Sequence, residues 1–235
     1  MKFFQNDTCL YCDQIMEQEF TWESLLLGTE KKLLCRKCQS KFELIEGETC
    51  LKCGRVRNDH FETNEICLDC LKWETDEKWK GVLEKNISLF VYNNFMAELI
   101  AKYKYRGDYC LAKIFSSYIR EATRKLEYDY IVPIPLSKER LYERGFNQVE
   151  ALLIEANIKY DSILFREHSE KQSKKSREER IRQENVFKLN ECFNLKGKHV
   201  LLVDDIYTTG ATLRKAAKIL YTSGASVSSL TLIRS

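Results

Sequence analysis

Eight of the ten cysteines fall in four Cys-x-x-Cys pairs near the start of the chain: Cys9/Cys12, Cys35/Cys38, Cys50/Cys53 and Cys67/Cys70. Two thiolates separated by two residues grip one tetrahedral ion from a tight knuckle, and two knuckles complete a four-cysteine zinc site. Disulfides within such pairs would be poor staples, and a redox role for one pair does not account for four. Apolar residues are sparse in this stretch, so metal binding must supply much of its folding energy. Four thiolates leave zinc no open position, so the two ions are structural rather than catalytic. A sequential pairing joins the first two pairs and the last two, whereas a cross-braced one joins alternate pairs. Each unit ends in a pair that opens a helical pattern, Cys35-Arg-Lys-Cys-Gln-Ser-Lys-Phe42 and Cys67-Leu-Asp-Cys-Leu-Lys-Trp73. That repetition favours the sequential pairing, a double zinc ribbon over residues 1–75.

At 235 residues and 44% hydrophobic, the chain can bury a second core beyond this domain. Residues 1–80 hold 12 Lys/Arg against 16 Asp/Glu, a net −4, which leaves +7 on the remainder. A basic C-terminal part suits polyanions such as pyrophosphate-bearing metabolites or single-stranded nucleic acid. The first residues lack the apolar run of a signal peptide, and no segment reaches membrane-spanning length, so a cytoplasmic location without membrane insertion is expected. Residues 76–86 read as a linker to a domain over 87–235. Cys110 lies in a helical apolar pattern and reads as a small core residue, and Cys192 stands alone.

In that domain, Val200–Val203 reads as a fully buried strand with Asp204 and Asp205 at its end. The small-residue loop Thr208, Thr209, Gly210, Ala211 and Thr212 then feeds the helical pattern Leu213–Tyr221. A strand, a small-residue loop and a helix N-terminus form a phosphate cradle, because backbone N–H groups and the helix dipole favour an anion there. Carboxylates do not bind phosphate, so the aspartates serve sugar hydroxyls or hydrated Mg²⁺. Further strands are expected at Ile87–Tyr92, Asp129–Val132, Ser162–Phe165 and Val227–Ile233. A helix capped by Asn93 or Asn94 carries Phe95, Leu99 and Tyr103 at four-residue spacing. In the following Lys102–Asp108, alternating Lys and Tyr could stack and neutralise single-stranded nucleic acid, but a helix end with the tyrosines packed inward and the lysines facing water is favoured. A basic loop with Arg140, Arg144 and Gly145, before a helix Phe146–Glu155, is a second anion site in which Arg144 and Gly145 suit pyrophosphate, with solvated surface charges the alternative reading of Lys138 and Arg140. The polar, basic run Arg166–Arg182 reads as a mobile excursion between core strands that can close over a phosphorylated substrate. Alternating β and α elements give an α/β domain with a mostly parallel sheet, and ligands gather at the carboxyl ends of its strands.

Val203-Asp-Asp-Ile-Tyr-Thr-Thr-Gly-Ala-Thr212 resembles the signature loop of type I phosphoribosyltransferases. The chain over nearly its whole length is similar to the ComF family of competence proteins, which join a Cys-x-x-Cys zinc domain to a phosphoribosyltransferase-like domain. Matching segments are Lys104–Tyr105, Pro133-Ile-Pro135 and Arg144-Gly-Phe-Asn-Gln148, with Gln172, Arg177, Arg180, Asn185 and Phe187 fitting the family's flexible loop. The resemblance implies binding of phosphoribosyl pyrophosphate with Mg²⁺. Asp204 and Asp205 would hold the ribose hydroxyls, Thr208–Thr212 the 5′-phosphate, Arg144 and Gly145 the pyrophosphate, and Lys104 would complete the ligand contacts. It also implies a role in natural transformation and in handling DNA as a single strand. Implied partners are a competence helicase and DNA-loading recombination factors, with recruitment to the uptake machinery at the membrane. No segment resembles a base-recognition hood, which argues against classical base salvage. The alternative is an active phosphoribosyltransferase that passes ribose 5-phosphate to an acceptor yet to be identified.

Overall fold

The computed structural model describes residues 8–16, 32–57, 65–105, 107–166 and 187–235. Its centre is a four-stranded parallel sheet in the order β1-β6-β5-β2, formed by β1 (Asn86–Val91), β6 (Ser226–Arg234), β5 (His199–Tyr207) and β2 (Tyr130–Pro133). Four successive apolar residues, Val200–Val203, are all buried because both faces of the sheet are covered. Leu201 and Val203 pack with the helices α3 (Asn94–Tyr105), α4 (Ala112–Arg124) and α6 (Gln148–Glu155), while Val200 and Leu202 pack with α7 (Ala211–Thr222). Asn93 caps α3, its Oδ1 accepting from Met96 N–H at 2.8 Å. Phe95, Leu99 and Tyr103 are buried at the expected spacing.

The strand lengths set the site. The pairing of β5 with β2 ends at Pro133↔Val203, whereas its pairing with β6 continues to Tyr207↔Arg234. Asp204 and Asp205 therefore lie inside β5 rather than beyond it. Ile134 N–H still reaches Val203 O at 2.9 Å, and beyond it the chain from Pro135 leaves the β2 flank beside Asp204 and Asp205.

The cysteine-rich segment is packed onto this sheet. It covers the free edge of β1 through Ile45 N–H to Leu89 O, Val91 N–H to Glu43 O and Asn86 N–H to Lys52 O, at 2.8–2.9 Å. A free parallel edge would offer unpaired N–H and C=O groups to another chain, and this contact removes the hazard. Cys9, Leu34 and Cys38 join the core on the α3 face, while Cys50, Cys53, Cys67 and Cys70 join the one beneath α7. Within residues 76–86, Val82 and Leu83 are buried in the second core. Between β1 and β6 lies a buried polar ladder. Ser88 Oγ and Thr231 Oγ1 are 2.7 Å apart, Ser229 Oγ donates to Asn86 Oδ1 at 2.8 Å, and Asn86 Nδ2 donates to Cys53 O at 3.2 Å. These partners allow Asn86, Ser229 and Thr231 to be buried without loss.

Several expectations change. The segment expected as a core strand at Ser162–Phe165 forms β3 (Leu164–Arg166), which pairs antiparallel with β4 (Phe187–Leu189) in a separate two-stranded sheet. Asp161 N–H reaches Ile131 O at 2.8 Å, but its carboxylate takes the Ile131 N–H at 3.2 Å and ends the ladder. The basic loop before Gly145 is a helix, α5 (Lys138–Arg144), capped by Ser137 Oγ accepting from Arg140 N–H and closed by left-handed Gly145. It buries no residue, so no apolar periodicity announces it. Cys110 is exposed on the short 3₁₀ turn Tyr109–Leu111, not a core residue, because Leu111 takes the buried position. Most of the basic excursion, including Gln172, Arg177, Arg180 and Asn185, lies outside the described residues, while Phe187 begins β4. Among the described residues no helix is long and apolar enough to cross a membrane.

Candidate functional site

Asp205 sits 2.6 Å from Lys104 Nζ, both side chains nearly enclosed, and this ion pair ties the end of α3 to β5. The expectation for Lys102–Asp108 is thus reversed in part. Lys104 turns inward to Asp205, Lys102 donates to Tyr11 O at 2.8 Å, and Tyr105 is 75% exposed. Tyr103 behaves as expected, fully buried with its hydroxyl donating to Gln148 O at 2.6 Å.

Asp204 Oδ1 accepts from the Asp205 N–H at 2.9 Å. Burial, and then the adjacent Asp205 carboxylate, raise the Asp204 acid from 3.8 to about 7, against the opposing pull of that N–H, Lys104 and Arg144. Arg144 has its guanidinium fixed by Gln148, whose Oε1 accepts from Nη1 at 2.8 Å, and it lies over the Tyr105 ring at 5.8 Å. The Gly145 N–H is donated to Leu141 O at 2.9 Å, closing α5. Gly145 thus supplies the left-handed turn (φ +77°) that aims Arg144, rather than a free amide.

Arg166, read in the sequence only as the first charge of a basic run, belongs to this cluster. Burial lowers its pKa and neighbouring Arg140 adds to the effect, while Glu139 and Asp204 oppose it. It stacks on Phe187 at 5.6 Å from the ring centroid. Asp204, Asp205, Lys104, Arg144 and Arg166 thus bring two acids and three bases to the carboxyl end of the sheet. Such a mixed array suits a ligand that carries both hydroxyls and phosphates.

The loop Thr208–Thr212 follows β5 directly, with Thr208, Thr209 and Thr212 exposed. Gly210 (φ +79°) is the N-cap of α7 and has no side chain to offer its first N–H groups, of which only Ala211 N–H meets a side chain among the described residues, Thr209 Oγ1 at 3.4 Å. The first N–H groups of α7 and the positive end of its dipole are aligned for an anion. A Cβ at Gly210 would enter the Tyr207 ring, so glycine is required by space as well as by φ. The loop is fixed from behind. Arg234 Nη1 donates to Tyr207 O and Thr208 O at 3.1 and 3.0 Å, and Trp73 Nε1 donates to Thr209 O at 3.1 Å. Neither Trp73 nor Arg234 stands out in the sequence.

The eight paired cysteines assemble into two clusters, Cys9/Cys12/Cys35/Cys38 and Cys50/Cys53/Cys67/Cys70, with sulfurs within 4.8 Å of one another. The pairing is sequential, as the repetition favours. Cys12 and Cys35 Sγ are 3.8 Å apart, and Cys53 and Cys67 Sγ 3.7 Å. A tetrahedron of thiolates at the usual Zn–S length has edges of roughly 3.8 Å, so the donor sets fit zinc. Hydrogen bonds with Cys53, Cys67 and Cys70 hold Cys50 far below the ordinary thiol range, while contacts with Cys50 first, and then Cys67 or Cys53, push Cys53 and Cys70 up. Four such thiols ionise together only around a dication.

A double zinc ribbon domain matches residues 3–71, and a phosphoribosyl transferase domain matches residues 143–235. The chain is 40% identical to competence protein ComFC of Bacillus subtilis over 97% of its own length and 95% of the relative's. It is 38% identical to competence protein ComFC of Streptococcus pneumoniae, over 96% and 99%. The DNA utilization protein YhgH of Escherichia coli is 31% identical over 41% of this chain and 45% of that one. With two four-cysteine zinc-ribbon sites on a parallel-sheet transferase-like domain, and full-length relatives at this identity, the chain belongs to the ComFC family of competence proteins.

Proposed function

We propose that this protein serves natural transformation, handling incoming DNA as a single strand, and that it binds phosphoribosyl pyrophosphate with Mg²⁺ at the end of β5. The observation that carries the reading is the placement of Asp204 and Asp205 beside the vacated β2 flank, directly ahead of a threonine loop opening a helix with a glycine N-cap. In this reading the aspartates take the ribose hydroxyls, Thr208–Thr212 the 5′-phosphate, and Arg144 and Arg166 the pyrophosphate. Lys104 pairs with Asp205 in the free protein and would turn to the ligand's phosphates once metal and sugar engage the acids. Bound Mg²⁺ would supply charge neutralisation of the pyrophosphate.

The competence role is supported by full-length relatives that bear that name. Exposed Tyr105, with Arg144 over its ring, and exposed Tyr142 on the basic helix α5 offer faces for base stacking near cationic groups. The test is transformation itself. A strain carrying Asp204→Ala/Asp205→Ala is expected to give far fewer transformants at unchanged protein level, and a wild-type yield would separate the site from the role. A second reading, transfer of the phosphoribosyl group, is favoured by the intact acidic pair with its lysine. Pyrophosphate release that depends on an added base, nucleotide or single strand would establish it.

A further inference from the structure

We propose that the second four-cysteine cluster positions the phosphate loop through Trp73, Glu74 and Arg234, so that zinc in the cluster and a phosphate on the loop stabilise each other. The inference rests on the reading of residues 208–212 as a phosphate loop and adds what holds that loop in shape.

Three successive carbonyls, of Tyr207, Thr208 and Thr209, are taken by side chains from outside the loop. In a trans peptide the C=O and the following N–H point in opposite directions. Drawing these carbonyls inward therefore turns the N–H groups of Thr208, Thr209 and Gly210 outward, where an anion would sit. The loop's own contact of this kind is weak, Ala211 N–H to Thr209 Oγ1 at 3.4 Å.

The donors trace back to one metal cluster. Trp73 lies three residues after Cys70 on α2 (Leu68–Thr75), the helix that Cys67 opens. Glu74, next on that helix, accepts from Arg214 Nη1 at 3.3 Å, and Arg214 lies over the Trp73 ring at 5.1 Å. Arg214 belongs to α7, is fully buried, and among the described residues its Nε and Nη2 have no partner. Displacing α2 would thus strand a buried charge under the first turn of α7. Arg234 spans the gap directly: Nη1 holds the loop carbonyls while Nη2 lies 3.6 Å from Cys53 Sγ. A planar guanidinium can serve both sides at once, which a lysine ammonium cannot. The first cluster is linked instead to α3, where Lys102 meets Tyr11.

Coupling between two binding sites is reciprocal. The test uses the zinc-loaded full chain and Trp73→Phe, which keeps the ring over Arg214 but removes the indole N–H. Ribose 5-phosphate is expected to bind the variant about tenfold more weakly, a cost of about 1.4 kcal/mol, while inorganic pyrophosphate with Mg²⁺ binds unchanged. Zinc transfer to a chromophoric chelator gives the second readout. Saturating ribose 5-phosphate is expected to slow release of one of the two ions in wild type and to lose that effect in the variant. Arg234→Lys should behave alike and serves if Trp73→Phe folds poorly. Equal ribose 5-phosphate affinity in wild type and variant, or an equal loss for both ligands, overturns the inference while leaving the site reading intact. A wild type that binds neither ribose 5-phosphate nor phosphoribosyl pyrophosphate overturns the site reading, and the inference with it.

Discussion

Asp204→Asn is expected to make the folded protein more stable at pH 8 and to weaken its ligand site. Burial and the Asp205 charge raise the Asp204 acid from 3.8 to about 7. A carboxyl whose folded value lies above its unfolded value destabilises the protein once it must ionise. From that group, stability is greatest below pH 3.8 and is lost as pH rises toward 7. The whole rise corresponds to about 4 kcal/mol at most, at about 1.4 kcal/mol per pH unit, and relaxation of Lys104 and Arg144 toward the charge reduces it. Between pH 6 and 8 wild type should lose about 1 kcal/mol that the asparagine variant does not, since the acid is mostly protonated at the lower value and mostly charged at the higher. Urea unfolding followed by tryptophan fluorescence measures this. Both chains carry the same zinc clusters, so the difference between their stability profiles isolates the carboxyl. The advantage of the variant should grow across the window. Parallel profiles would show that Asp204 is not held at a cost, and that the fold does not strain this acid for function.

Other consequences are more local. Gly210→Ala forces a left-handed alanine into the buried Tyr207 ring; thermal unfolding should show a loss of about 2–4 kcal/mol. An unchanged melting temperature would refute the steric account. Arg166→Gln should weaken Mg²⁺–pyrophosphate binding at least tenfold and leave ribose 5-phosphate binding near wild type, as calorimetry can read; equal affinity for pyrophosphate would remove Arg166 from the site. Metal analysis should return two zinc ions per chain, and a chelator should lower the unfolding midpoint because Cys9 and Cys38 join one core and the second cluster joins the other. A stoichiometry near one would contradict the paired ribbons.

The parts of this fold legible in the sequence are those whose chemistry is local. Four Cys-x-x-Cys pairs define two clusters because a knuckle needs only four residues. The run from Val200 to Thr212 shows strand, loop and helix because each step is written in adjacent residues. Helix α5 lacks buried residues, so periodicity misses it, although Ser137 and Gly145 mark its two ends. The extension of β5 through Asp204 and Asp205 is hidden for another reason. It is set by β6, which goes on pairing after β2 has stopped. The contacts that shape the site join distant residues, Lys104 to Asp205, Trp73 to Thr209 and Arg234 to Cys53. No sequence spacing announces them: the first arises when α3 packs against β5, and the other two when the second zinc ribbon packs against the sheet.

The central claim is that the end of β5 binds a phosphorylated ribose diphosphate. Calorimetric titration of phosphoribosyl pyrophosphate with Mg²⁺ into the zinc-loaded full chain tests it most directly, with Asp204→Ala/Asp205→Ala alongside. One ligand should bind per wild-type chain, with the heat lost in the variant. Absence of binding to wild type, or equal binding to both proteins, would contradict it.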